Sequence, residues 1–230
     1  MRSAILRAIV SVFIIGGFFF VSDCSANEAG LVTSVKGSVM FGKDKKDKAL
    51  NFMKMRVGDT FYLEKDASMQ IVFFKNGRKE KWEGVVEVAI QEDMGKVTLS
   101  YKDKAKPKSI STSEKNYSEG LREIPDFIQS LNTERSGSVR SRGFKKSYRE
   151  YNDLDSAEKD KVKETRMIYD LLVSTSDPAD ITPELYAIGM LSKLKLYRET
   201  IGLVRSAMKK QPENAGLKEV ESNLNEILKD

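Results

Sequence analysis

Between Gly30 and Tyr101 short runs of β-branched and aromatic residues alternate with Gly, Asp and Lys: GLVTSVKGSVMF, a charged break, MKMRVGDTFYLEKDASMQIVFFKNGRKEKWEGVVEVAI, then KVTLSY. Short apolar runs closed by turn residues at this spacing predict a small all-β unit. The alternation is clearest from Ser68 to Lys75, where Met69, Ile71 and Phe73 point to one face and Gln70, Val72 and Phe74 to the other. Apolar residues on both faces predict a central strand, covered on both sides. Lys75-Asn76-Gly77-Arg78 predicts a tight turn, because Asn and Gly accept the positive φ of a two-residue hairpin, and Val57-Gly58-Asp59-Thr60 predicts a second. The run Lys43-Asp44-Lys45-Lys46-Asp47-Lys48 lacks the alternating oxygen ligands and the glycine of a calcium loop, so it reads as a charged hairpin tip.

Beyond residue 101 the period changes. Residues 102–152 are polar and lysine-rich and read as a basic linker. Within it Leu121, Ile124, Phe127, Ile128 and Leu131 recur at helical spacing and predict a short helix begun by Pro125. From Asp153 onward the pattern is helical. Ser156 is the expected cap of a helix carrying Val162, Met167, Ile168, Leu171 and Leu172, and Thr182 the expected cap of one beginning at Pro183 and ending near Leu196. A third helix runs from Tyr197 or Arg198 through Ile201, Val204, Ala207 and Met208 to a stop at Gln211-Pro212-Glu213-Asn214; the last sets Leu217, Val220, Leu224, Ile227 and Leu228 on one stripe. The expected fold is α+β in two domains: a small all-β unit, a roll or sandwich, over residues 27–101, the linker over 102–152, and a helical bundle over 153–230. The two folded parts are expected to behave separately, with proteolysis between Lys102 and Arg149.

The first residues bear on location. Arg2 and Arg7 precede an apolar run, Ala8 to Val21, which breaks into Ser22-Asp23-Cys24-Ser25-Ala26. This is the pattern of a secretory signal peptide over residues 1–26, and the run is shorter than the about 20 residues of a membrane span. Cleavage after Ala26 leaves a chain starting at Asn27 without cysteine. Lipid attachment at Cys24 is the rival reading, although Asp23 departs from the small residue that such processing prefers; a retained anchor is a further alternative. An exported protein of the periplasm or cell envelope is the expectation. With 40% hydrophobic and 32% charged residues the chain has the material for a folded core, and its net charge of +5 is too mild to argue for nucleic acid.

Candidate chemistry is sparse. The chain has no histidine, and its one cysteine lies in the signal segment, so the usual general base, nucleophilic thiol and soft metal ligands are missing from the expected mature protein. Glu83 and Glu87, four apart, would share one face of a strand beside Lys81 and Arg78, the makings of a solvated face more than of a glycosidase pair. The reading is therefore non-enzymatic, without cofactor or metal. The candidate interaction residues are Trp82, the single tryptophan, and the basic-aromatic series Arg140, Arg142, Phe144, Lys145, Lys146 and Tyr148. Such a series can hold single-stranded nucleic acid by charge and stacking. Export removes that partner and leaves a solvated linker, or contact with an anionic glycan, a lipid surface or an acidic protein.

The opening Gly30, Val32, Val35, Gly37 and Val39, the Gly58-Asp59 pair and the Asn76-Gly77 turn resemble, in order and spacing, the FecR domain of bacterial envelope proteins. In the second half Ala187, Ile188, Leu191, Thr200, Val204, Ala207 and Pro212, with Tyr197 near the turn, resemble a tetratricopeptide repeat. Ile188 stands at a small-residue position and Thr200 where alanine is usual. The resemblance implies a non-enzymatic envelope protein whose β module and helical scaffold mediate contact with an envelope protein or cell-wall glycan. Two alternatives are a periplasmic sensor or regulator in a FecR-type signalling system and a wall-glycan hydrolase. Only about six residues precede the apolar run, too few for the cytoplasmic segment of a FecR regulator.

Overall fold

The computed structural model describes residues 28–42, 44–100, 108–110, 117–136 and 148–229. Among them the strands are β1 (Glu28–Lys36), β2 (Val39–Phe41), β3 (Asp47–Lys48), β4 (Lys54–Arg56), β5 (Thr60–Leu63), β6 (Ser68–Phe73), β7 (Lys79–Glu83), β8 (Val86–Ile90), β9 (Gly95–Ser100) and β10 (Lys108–Ile110). They form two antiparallel sheets, sheet I in the order β10-β7-β6-β1-β4 and sheet II in the order β3-β2-β5-β8-β9. The sequence left roll and sandwich open; two sheets facing across one apolar core make a sandwich. β6 is the middle strand of sheet I. Its Met69, Ile71 and Phe73 join Val32, Met55, Phe61, Trp82 and Val88 between the sheets, while Val72 and Phe74 point outward into a second core.

The two predicted turns serve different ends. Gly58-Asp59 carries the chain from β4 in sheet I to β5 in sheet II, and Asp59 Oδ2 accepts from the Arg56 amide at 2.7 Å. The amide of Gly58 donates to the Ile90 carbonyl at 2.9 Å, which ties the crossing to the end of β8. Asn76-Gly77 does not make a two-residue hairpin: β6 ends at Phe73 and β7 begins at Lys79. Gly77 has φ +64°, and the Tyr117 hydroxyl donates to its carbonyl. A Cβ there would lie 2.0 Å from the Tyr117 oxygen, so both the turn and the close approach require glycine.

The helices are α1 (Ser118–Ser136), α2 (Ser156–Thr175), α3 (Thr182–Lys193), α4 (Tyr197–Lys210) and α5 (Ala215–Ile227), with a 3-10 turn at Tyr151–Asp153. α1 is longer than expected, and Pro125 lies inside it. Proline supplies no amide to the Leu121 carbonyl, yet the helix continues, held by burial of Leu121, Ile124, Phe127 and Leu131. Asp155, one residue before Ser156, caps α2 in a reciprocal box with Glu158. Thr182 is already helical; Asp180 Oδ1 accepts from its amide at 2.9 Å and its hydroxyl at 2.6 Å, which is the capping part expected of Thr182. Met167 and Leu171, read as inward-facing, are 73% and 44% exposed, because α2 buries only the line Val162, Thr165 and Leu172.

The helices share a core with sheet I. Leu31, Phe52, Val72 and Phe74 pack with Tyr117, Leu121 and Ile124 of the α1 region, Leu185 and Ile188 of α3, and Leu217 and Val220 of α5. α1 and β10 both fall within the stretch read as a linker, so its described parts are packed elements. α1 crosses α3 where Gly120 meets Gly189. A Cβ on Gly189 would lie 1.8 Å from the Gly120 carbonyl oxygen, so the backbones approach as closely as they do only because both residues are glycine.

Gly189→Ala is expected to lower stability in urea unfolding by at least about 1–3 kcal/mol, the usual cost of overpacking, since backbone and not a flexible side chain must give way. Because the cores adjoin, unfolding followed by Trp82 fluorescence, which reports the sandwich, should coincide with unfolding followed by helical circular dichroism. Two separated transitions would show sandwich and helices to be independent units.

Candidate interaction surface

Trp82 is buried at 2% exposure in the inter-sheet core. Its indole N–H donates to Glu80 Oε2 at 3.1 Å, and the Gly95 amide donates to the same oxygen at 3.0 Å. Arg78 Nε reaches the other carboxylate oxygen at 2.6 Å. Glu80 thus fastens β7 of sheet I to the start of β9 in sheet II, with Trp82 packed beside it. A ring so placed has no face open to a glycan. Its charged neighbours in KEKWE hid this, because only Glu80 and Trp82 share the inward parity.

Arg140, Arg142, Phe144, Lys145 and Lys146 lie outside the described residues. Tyr148 is buried at 7%; its oxygen accepts from Arg198 at 3.1 Å, and the Arg198 guanidinium lies 5.5 Å from the ring centre. Next to it Arg149 forms a two-pronged pair with Glu158, both contacts at 2.7 Å. The end of the basic-aromatic series is therefore fixed to the start of α2 and to α4. Glu83 and Glu87 do not share a strand face: Glu83 ends β7 in sheet I, Glu87 lies on β8 in sheet II, and Gly84 turns the chain between them. Glu83 pairs with Lys81, and Glu87 accepts from the Thr98 hydroxyl at 2.7 Å.

Two clefts remain. One, of about 210 Å³, lies between sheet I and the loop from α2 to α3, and includes Lys79, Asp177, Asp180 and Thr182. Across it Lys79 and Asp180, both nearly buried, form an ion pair that bolts the loop to β7. The other, of about 500 Å³, lies on the outer side of sheet II and is lined by Met40, Lys45, Tyr62, Glu64, Lys65 and Glu87 among others. Tyr62 stands on β5 between Met40 on β2 and Glu87 on β8. Burial, then the charges of Glu87 and Asp44, push its phenol above the ordinary tyrosine value, so the ring is neutral at physiological pH. Sequence reading passed over Tyr62. The signal present was an aromatic of outward parity between inward Phe61 and Leu63.

No protein-family model matches the chain, and no curated protein or solved structure matches it. Among the described residues no helix is long and apolar enough to cross a membrane, and no group of acidic side chains is arranged to hold a metal ion.

Arg149 and the Asp155 amide pull the Glu158 carboxyl from 4.5 down to about 2. A depressed folded-state value stabilises the fold above the unfolded value, and that contribution is lost as pH falls from about 4.5 through about 2. Glu158→Gln should therefore melt below the wild type at pH 6, with the difference shrinking steadily toward pH 2 in thermal scans. A difference independent of pH would place the role of Glu158 in its capping geometry alone.

Proposed function

We propose that this protein is a non-enzymatic interaction module of the bacterial cell envelope, exported by the segment over residues 1–26, with a FecR-like sandwich as its binding part and a tetratricopeptide-like helical scaffold. The observation that carries the reading is the order of the FecR-like positions together with the jobs they do. Gly30 lies where β1 meets its neighbours so closely that a Cβ would sit 2.1 Å from the Val72 carbonyl oxygen, and Gly58-Asp59 makes the crossing between sheets. These are framework positions, and they leave function to the exposed surface. The first described strand begins at Glu28, two residues beyond the expected cleavage point, so removal of the signal segment leaves the sandwich whole.

The helical part supports a scaffold more than a peptide receptor. α3 and α4 carry the repeat-like positions, and α1 lies along α3 and α5, bonding Asn132 to Asn223 of α5 at 2.9 Å. The chain's own α1 thus occupies surface of α3 and α5 that would otherwise be open to a peptide. Scaffolding then means support of sheet I, which leaves sheet II outward.

The test is co-sedimentation of the chain from Asn27 with isolated cell-wall sacculi. Retention in the pellet at both low and high salt is expected. Retention only at low salt would trace binding to general basic charge, and none at either salt would remove the wall from the reading.

A further inference from the structure

Every strand-region residue in the helix-facing core belongs to sheet I or to the turn holding Phe52. The outer side of sheet II is thus the broad face that the described helices leave open, and its cleft of about 500 Å³ falls in the range of small-ligand sites, about 300–1,000 Å³. Three features define what it suits. Its floor is the Tyr62 ring beside the Met40 thioether, and a tyrosine face offers a flat apolar surface with a polar tip. Its charges balance: Lys45 and Lys65 stand against Glu64 and Glu87, and the neighbouring Asp44 is paired with Lys46, in a chain whose net charge is +5. A surface of balanced charge gives a polyanion no net attraction, whereas the hydroxyl and amide groups of a neutral polyol find both donors and acceptors there. Finally, Lys45 Nζ lies 4.0 Å from the centre of the Tyr62 ring. Lys45 is an exposed residue of the turn between β2 and β3, and a cation on an aromatic face is weakly held at an exposed site. It covers the face that a sugar ring would take, and it can swing away.

We propose that the outer face of sheet II docks the uncharged amino-sugar backbone of a cell-wall glycan, a pyranose ring stacking on Tyr62 in place of the Lys45 ammonium. Glu64, Glu87 and Lys65 take the hydroxyl and acetamido groups, and the glycan is bound unchanged. This rests on the envelope reading above and assigns it a surface. It also explains why the single tryptophan has no part in binding: the aromatic platform is a tyrosine on the opposite sheet.

The test uses the chain from Asn27 with two probes, the tetramer of N-acetylglucosamine by calorimetric titration and sacculi by sedimentation in high salt. Tyr62→Ala should weaken both by about tenfold, and Tyr62→Trp should bind at least as tightly as the wild type. Lys45→Ala, at an exposed turn that poses no risk to the fold, should bind as well as the wild type or better. Full binding by Tyr62→Ala overturns the proposal, as does a loss on Lys45→Ala, which would make the cation the anchor and an anion the ligand. Wild-type pelleting with no response to Tyr62 changes would defeat this surface while the envelope reading stands. Absence of wild-type pelleting would defeat the wall reading itself.

Discussion

The structure depends on sheet I being apolar on both sides. β1 and β6 send Val32, Met69, Ile71 and Phe73 into the sandwich and Leu31, Val72 and Phe74 into the helical core. A sheet face bearing Leu, Val and Phe cannot be left in water without losing, at about 25 cal/mol per Å² of apolar area, the gain that folds the unit. α1, α3 and α5 supply the cover. The cover is keyed in place by Phe52, which occupies the left-handed region at φ +66° with its ring buried against α5 near Gly216. A phenylalanine there costs about 1–2 kcal/mol of backbone strain, which full burial of the ring offsets. The position is held by the Phe52 amide donating to the Val32 carbonyl at 2.7 Å and by Asn51 Oδ1 accepting from the Val35 amide at 2.7 Å.

Around that apolar contact the polar groups are paired with care. The Asn214 side chain caps α5 through the Leu217 amide and, with its amide nitrogen, donates to the Thr33 carbonyl of β1 at 3.1 Å. One residue therefore ends a helical turn, begins the next helix and ties both to the sheet. Glu184 is fully buried, and Lys210 and Ser206 of α4 satisfy it at 3.0 Å and 3.1 Å. Removing either partner of such a pair leaves a charge uncompensated inside the protein, so the hairpin of α3 and α4 has one register. The same Lys210 also donates to the Asp180 carbonyl at 3.0 Å, and Asp180 holds Lys79 of β7. A chain of charges thus runs from the helical hairpin to the edge region of sheet I, and it belongs to the architecture.

With one sheet committed to the helices, the proposed docking is assigned to the other. Sheet II presents short strands and the turns 44–46 and 64–67, and loops held by a rigid sandwich are where binding residues gather at little cost to the fold. Tyr62 is well suited to that place because its neighbours on β5, Phe61 and Leu63, are both buried between the sheets and fix the strand that carries it.

Much of this was legible along the chain. The two-faced strand 68–73, the β alternation of the first part, the Gly58-Asp59 turn and the helices α3 to α5 follow from local periodicity and turn chemistry, which act within a few residues. Asn76-Gly77 was located as a turn but mistaken in kind, because its glycine answers to Tyr117, forty residues away. The reach of α1 past Pro125 and the exposure of Met167 and Leu171 were hidden for the same reason: what decides them is which neighbour lies opposite. Trp82 and Tyr62 make the point most plainly. Trp82 stands among charged residues and Tyr62 in an apolar run beside Phe61, and the sequence could not tell which ring faces outward. The sequence by itself determined most of the elements and their order, since propensity and period are local. Only the tertiary structure decided that sheet I would be covered and sheet II left open, because facing is set by long-range packing, and with it which aromatic ring meets the solvent.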